Sequence, residues 1–282
     1  MSTFKDALLV TGTFPDPTPE SAVEQAVSLA RLLGVQLSCV ASVLDARAVN
    51  RYYTHGDWLL DIPALIEESL AKSRSEAARL LACFERAARA QKSFDNAMTL
   101  SSIDPIVQFS RLHDLTIFPV RGDSAGPYEP TAEDLVFGAG HPVILLPALE
   151  GIESSPMSLE RIVVAWDYSI TSARALSDAI PLLRKAKDVL LVTFTGEKEI
   201  HPHGYGASLS KHLERHGIFP DMIETSVGGK SIGGAMRDYL EAHHANLLVM
   251  GAYGHSRVRE FILGGATRDI IAKPPIPVFL SR

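Results

Sequence analysis

Apolar residues along the chain fall into short, nearly unbroken runs separated by longer stretches with helical spacing. The first run is Ala7-Leu8-Leu9-Val10-Thr11, followed by a loop of Gly, Pro and Asp. Ala22, Val23, Ala26, Val27, Leu29, Ala30 and Leu33 then recur at helical spacing until Gly34 stops them, and 35–40 reads as a second strand. From Arg161 the same order returns: the run Ile162-Val163-Val164-Ala165-Trp166, a polar loop Asp167-Tyr168-Ser169, a helical pattern through Ala173, Ala175, Leu176, Ala179, Ile180 and Leu183, and the strand Val189-Leu190-Leu191-Val192. The two halves also end alike. The stretch 113–118 answers 245–250, and Pro142-Val143-Ile144-Leu145-Leu146 answers Pro277-Val278-Phe279-Leu280-Ser281. Val143 and Val278 lie 135 positions apart (278 − 143), a reasonable domain period. Short continuous apolar strands alternating with helices predict an α/β fold with a parallel sheet covered on both faces. The expected units are residues 1–148 and 159–282, joined by a linker from Leu149 to Ser158 where Gly, Ser, Pro and Glu cluster.

The halves differ in two places. The first carries a long helical pattern from Ile62 to Gln91, with Leu65, Ile66, Leu70, Ala77, Leu80, Leu81 and Phe84 as its apolar positions. An aromatic-rich loop holding Tyr52, Tyr53 and Trp58 precedes it, equally suited to packing or to an interaction patch. The second half has only a short helix there, around Leu209 to Arg215. The other difference follows the fourth strand of each half.

Composition narrows the function classes. At 46% hydrophobic and 21% charged the chain is an ordinary packed protein rather than a disordered one. A net charge of -6 argues against a general nucleic-acid partner. The apolar runs are far shorter than the roughly 18 residues a membrane helix needs, so no membrane partner is expected. Cys39 and Cys83 are too few for a disulfide framework, and the start lacks a signal-peptide core; a cytoplasmic location is the expectation. The charge is uneven: residues 1–150 hold 12 Lys+Arg against 19 Asp+Glu (-7), and 151–282 hold 15 against 14 (+1). An anion site therefore fits the second half better.

After Leu247-Leu248-Val249-Met250 the chain runs Gly251-Ala252-Tyr253-Gly254 and, after nine intervening residues, Gly264-Gly265-Ala266-Thr267-Arg268. A strand delivering its carboxyl end into glycines, with a second glycine turn opening a helix, is a phosphate-binding arrangement. Glycine lets backbone N–H groups approach an oxyanion, and a helix start favours negative charge. Thr267 adds a hydroxyl that can donate to phosphate or cap the helix. The first half lacks this loop: Pro119 stands where Gly251 does and removes a donor, and Asp123, Glu129, Glu133 and Asp134 follow. Gly138 and Gly140 read as turn residues before the last strand.

The spacing Gly-x2-Gly-x9-Gly, its place after the fourth strand, and the closing Pro277-Val278-Phe279-Leu280 strand resemble the universal stress protein (UspA) family. The resemblance covers both halves in order, as in a tandem two-domain member. It implies two Rossmann-like doubly wound domains, each with a five-stranded parallel sheet of the adenine nucleotide alpha hydrolase-like kind. It further implies that ATP, or ADP or AMP, with or without Mg2+, binds in the second half. Asp167 matches the family's aspartate after the first strand, near adenine and ribose, and Ala165 fits the small residue two before it. By the same resemblance Phe194 lies by the adenine. Met250 belongs to the same nucleotide site, and Gly251, Gly254, Gly264, Gly265, Ala266 and Thr267 hold ribose and phosphates. Gly265 departs from the Ser or Thr usual at that position and removes one hydroxyl donor. Pairing of the two units as an intramolecular pseudo-dimer, and a homodimer of the chain, are further expectations.

Other motifs carry less. Gly228-Gly229-Lys230-Ser231 fails as a Walker A loop because Glu224 occupies the position of its first glycine, and it reads as a cap for a helix starting near Ile232. His212 and His216 have a metal-capable spacing without a third ligand, and His243 and His244 suit a helix end. No catalytic residue is assigned. The readings are a nucleotide-binding regulatory module, a slow ATPase or phosphoryl or nucleotidyl transferase using Arg257, Arg259, Arg268 and Asp167, or a scaffold that binds no nucleotide.

Overall fold

Strands and helices alternate through both halves in the same order. The structure, a computed structural model, describes residues 4–45, 62–122, 128–148, 157–196, 205–252 and 265–282. The first half runs β1 (Asp6–Gly12), α1 (Glu20–Leu33), β2 (Gln36–Ser42), α2 (Ile62–Ala90), β3 (Phe94–Leu100), α3 (Ile103–Ser110), β4 (Thr116–Val120), α4 (Tyr128–Gly138) and β5 (Val143–Pro147). The second runs β6 (Arg161–Ala165), α5 (Ile170–Leu183), β7 (Asp188–Thr195), α6 (Gly206–Glu214), β8 (Asp221–Ser226), α7 (Ile232–Ala242), β9 (Leu247–Gly251), α8 (Gly265–Ala272) and β10 (Val278–Ser281).

The sheet order is β3-β2-β1-β4-β5-β10-β9-β6-β7-β8, and each half is parallel throughout. The two five-stranded parallel sheets expected from the sequence are both present and join edge to edge as one ten-stranded sheet. Its centre is the single antiparallel pairing, β5 on β10, with Val278 opposite Leu145, Phe279 opposite Ile144 and Leu280 opposite Val143. The reason is that each closing strand is an edge of its own half. Two apolar edges with free N–H and C=O groups satisfy one another by pairing. The carboxyl ends of the two parallel halves consequently point in opposite directions.

Strand alternation sends adjacent residues into two core layers, each continuous across both halves. Leu9, Phe84, Ile162, Val164, Leu182 and Phe279 belong to the first, which α1, α2, α5 and α6 cover. Leu8, Phe118, Leu135, Val163, Leu248 and Leu280 belong to the second, under α3, α4, α7 and α8. Local signals set the helix ends. Gly34 adopts φ +76°, which glycine tolerates, and its N–H returns to the carbonyls of Ala30 and Arg31. Ser169 caps α5 by accepting from the Ser172 N–H at 3.0 Å, and Ser231 caps α7 by accepting from the Gly234 N–H at 3.2 Å. Helix α6 starts three residues before Leu209 because its first turn, Gly206-Ala207-Ser208, has no apolar spacing to announce it. Gly138 closes α4 rather than standing in a turn. A Cβ there would meet Val107 Cγ1 at 2.4 Å, and only Gly140, at φ +77°, serves as a turn glycine. Among the described residues no helix is long and apolar enough to cross a membrane.

Candidate functional site

Strands β9, β6 and β7 are neighbours, and their carboxyl ends gather Ala165, Asp167, Phe194, Met250 and Gly251. Val164 stands opposite Val249 and Ala165 opposite Val192. Ala165 at the end of β6 therefore lies level with Met250 in β9 and just short of Phe194 in β7. All three pack in the second core layer. Strand β6 is where the chain's direction of travel across the sheet reverses, since β7 and β8 extend to one side and β9 and β10 to the other. Ligand crevices of open parallel sheets form at such a reversal. Asp167 follows β6 and is exposed there; its carboxylate accepts the Ser169 N–H at 3.0 Å, which fixes it beside the start of α5. Helix α8 runs back from the carboxyl ends to feed β10, so its first residue, Gly265, opens at this same rim, and Gly265 is exposed. Ala266 lies in its first turn, and Thr267 is buried. The first N–H groups of a helix have no partner inside it, so this start can bind an anion.

The two glycines that flank this rim do different work. A Cβ on Gly251 would stand 2.5 Å from the carbonyl carbon of Thr171 and 2.7 Å from the Ser172 nitrogen. Its missing side chain lets the first turn of α5 close onto β9. A Cβ on Gly265 would meet nothing within 4 Å. Gly254, Gly264, His255, Ser256, Arg257 and Arg259 lie outside the described residues. Arg268 faces the other half, with its Nε 3.4 Å from a Glu129 carboxylate oxygen on α4.

Tyr239, an aromatic residue outside the expected site, backs Phe194. Phe194 meets Tyr239 of α7 edge-on with ring centres 5.9 Å apart, and Tyr239 stacks on His243 at 4.1 Å. Burial pushes the Tyr239 phenol above its ordinary range, with Asp221 adding to the rise and Arg161 opposing it. The spacing Ile232, Met236, Tyr239, Leu240 marks the buried stripe of α7 and was the available signal.

In the first half the same crevice is filled from within. Leu8 pairs with Thr116 as Val163 pairs with Leu248, so Gly12 stands where Asp167 does and Phe118 where Met250 does. Tyr128, the first residue of α4, lays its ring over Gly12, with Oη 3.0 Å from where a Cβ would be. The ring lies 5.9 Å from Phe118. Its hydroxyl donates to the Asp16 carbonyl at 2.6 Å, and the Gly12 N–H donates to Thr18 Oγ1 at 2.9 Å. The acids of α4 sit beside this plug. Burial raises the Glu133 carboxyl, the Glu129 charge adds to it and Arg268 opposes it; burial and then Asp104 raise Asp134. Asp123 lies outside the described residues.

The remaining candidates are structural. Gly228 and Gly229 adopt φ +59° and +80° in the turn that presents the Ser231 cap. The His212 and His216 rings meet edge-on at 5.0 Å, and among the described residues no cluster of three His, Cys, Asp or Glu could hold a metal ion. His243 ends α7, as its position suggested. Cys39 and Cys83 are buried in the first core layer. Burial pushes the Cys83 thiol up to about 11 and Cys39 higher still, so both stay protonated and inert near neutral pH. Tyr52, Tyr53 and Trp58 lie outside the described residues.

Residues 158–282 match the model of the Universal stress protein family. A universal stress protein of Synechocystis sp. is 23% identical over 227 residues, covering 77% of this chain and 76% of its own length. Among solved structures, a universal stress protein from Archaeoglobus fulgidus DSM 4304 is similar with a TM-score of 0.68 at 18% identity, over 98% of this chain and 96% of that one. A functionally unknown protein from Pseudomonas aeruginosa PAO1 is similar with a TM-score of 0.56 at 13% identity, over 97% and 92%. At such identities the structural likeness speaks to the fold.

Proposed function

Residues 158–282 belong to the universal stress protein family, and from that premise we propose that the chain is a regulatory binding module holding ATP, ADP or AMP in its second half. The observation that carries this reading is the contrast between the two crevices. At the carboxyl ends of β9, β6 and β7 stand Met250, Ala165, Phe194 and an exposed Asp167, beside the open start of α8. In the first half Tyr128 fills the corresponding position. The residues present fit the ligand. Phe194, Ala165 and Met250 offer the base an apolar wall. Asp167 has one oxygen tied to the Ser169 N–H, and the other, without a partner among the described residues, can accept a ribose hydroxyl. Backbone N–H groups of Gly265, Ala266 and Thr267 serve the phosphates, and Gly254 and Gly264 extend that cradle by family resemblance. Were Mg2+ to accompany the nucleotide, the exposed Asp167 carboxylate could help hold it, and the ion would supply neutralisation of phosphate charge.

Nucleotide binding biases the chain by preferring one arrangement of the rim over another. Helix α8 packs against α4 of the first half through Arg268 and Glu129, so occupancy at its start is felt where the two halves meet. The halves are read as an intramolecular pseudo-dimer of units 1–148 and 159–282 in a cytoplasmic protein.

The test is direct. The purified chain is denatured to release any retained nucleotide, and binding of ATP, ADP and AMP is measured by calorimetry, with chromatography over hours to detect turnover. Asp167→Ala should weaken binding about tenfold, the loss of one charge-assisted hydrogen bond. Gly265→Glu should abolish it without unfolding the chain, because the new side chain enters open space and places a carboxylate against the phosphates. Absence of any nucleotide binding, or binding unaffected by both substitutions, overturns the reading. Turnover lost in Gly265→Glu would move it to a slow ATPase.

A further inference from the structure

On the sheet face opposite Phe194 and Met250, the second half leaves a cleft of about 630 Å³, lined by Tyr168, Thr193, Met222 and Glu224 together with Gly206 and Ala207 of α6. Strand alternation fixes the face. Thr193 lies between Val192 and Phe194, both in the second core layer, and so turns to the first. Met222 and Glu224 stand opposite Leu191 and Thr193 in the β7–β8 ladder. Tyr168 rests on the first layer, its ring edge-on to Trp166 with centres 5.5 Å apart.

The first half covers most of the same face. At the equivalent register stand Thr13 for Tyr168, Ala41 for Thr193, Ala97 for Met222 and Thr99 for Glu224. Thr13 and Ala41 are buried and Ala97 is half-buried beneath the 29-residue helix α2, while Thr99 stands exposed at its margin. Its Ser73 Oγ is 2.6 Å from the Thr13 hydroxyl and accepts the Leu44 N–H at 2.9 Å. The second half replaces α2 with the nine-residue α6 and replaces the small residues with an aromatic ring, a thioether, a hydroxyl and a carboxylate. Shortening the cover alone would leave bare alanines. The exchange instead supplies a mixed apolar and polar lining of the kind that orients a small ligand. Two details sharpen this. Tyr168 sits at φ +62°, a left-handed conformation that a bulky residue rarely adopts and that concentrates at ligand sites. Glu224 is the one charged side chain among the lining residues, and its carboxylate has no hydrogen-bond or ion-pair partner among the described residues.

We propose that this cleft binds a small aromatic amine. The ring lies against Tyr168 and the adaptable Met222 side chain, and the ammonium group pairs with Glu224 while donating to Thr193. The carboxylate repels phosphate, so this site is chemically distinct from the nucleotide rim and independent of it.

The chain has two tryptophans, so Trp58→Phe leaves Trp166 as the single indole reporter beside Tyr168. Phenethylammonium is titrated into this full-length variant, following Trp166 fluorescence and the Met222 methyl resonance. 3-Phenylpropionate serves as the matching anion. Saturable changes in both signals are expected, with a Kd on the order of 0.1–1 mM for so small a ligand. The anion should give none. Glu224→Gln should weaken binding about tenfold and Met222→Lys should abolish it, with thermal unfolding unchanged because both positions are exposed. Saturating ATP should not displace the amine. The proposal is overturned by the lack of a saturable response, by equal binding of 3-phenylpropionate, by indifference to Glu224→Gln, or by displacement with ATP.

Discussion

At the residue scale, glycine identity says little until the space around its missing side chain is known. Gly251 and Gly265 look alike in the sequence, as members of one phosphate-loop pattern. In the fold Gly251 clears the backbone of Thr171 and Ser172, whereas Gly265 clears nothing. Gly251→Ala is therefore expected to lower unfolding stability by about 3 kcal/mol, since the obstructing atoms are helix backbone and cannot swing aside. Gly265→Ala should change it by less than about 1 kcal/mol, with any gain coming from helix propensity. Urea unfolding of both variants separates the two roles, and equal effects would contradict them. The same reasoning explains Tyr128. Nothing in its sequence surroundings announces a ring over Gly12, because the two residues meet only through the parallel pairing of β1 with β4.

Among the elements, caps and stops were the most legible features. Ser231, read as part of a capping turn before Ile232, accepts the Gly234 N–H, and Gly34 ends α1 with the positive φ that its position demands. Ser169→Ala should cost about 1 kcal/mol, seen as a lower urea midpoint at constant slope. Nucleotide affinity should hardly move, because the bond to Asp167 comes from the Ser169 backbone N–H, which alanine retains. A large loss of affinity would show that the serine hydroxyl itself serves the ligand. Helix lengths were legible too: the long apolar repeat of α2 and the short α6 both stand in the sequence. That their difference opens a cleft could not be read there, because the cleft also needs Tyr168, Thr193 and Glu224 to converge from three separate segments.

For the whole molecule, the repeat predicted two units, and the sheet and both core layers run through them without a break. Phe279 is fully buried at the junction, opposite Ile144 of the other half and near Phe4. Phe279→Ala should cost about 3–5 kcal/mol and lower the stability of the entire chain. Unfolding followed by Trp166 fluorescence in a Trp58→Phe background and by far-ultraviolet circular dichroism should coincide, before and after the substitution. Separate transitions for the two signals would mean that the halves are energetically independent.

The sequence by itself determined the alternation of strands and helices, their like order in the two halves, the Gly34 stop and the Ser231 cap. Each of these is written in spacing along the chain, because a residue's periodicity declares which side of its own element is buried. Only the tertiary structure decided that two sheets become one, that Tyr128 occupies the first crevice, that Gly251 serves helix packing, and that the opposite face carries a cleft lined in part by the Glu224 carboxylate. Those outcomes depend on distances between segments far apart in the chain. Local pattern constrains which surfaces must be covered but not which residue covers them.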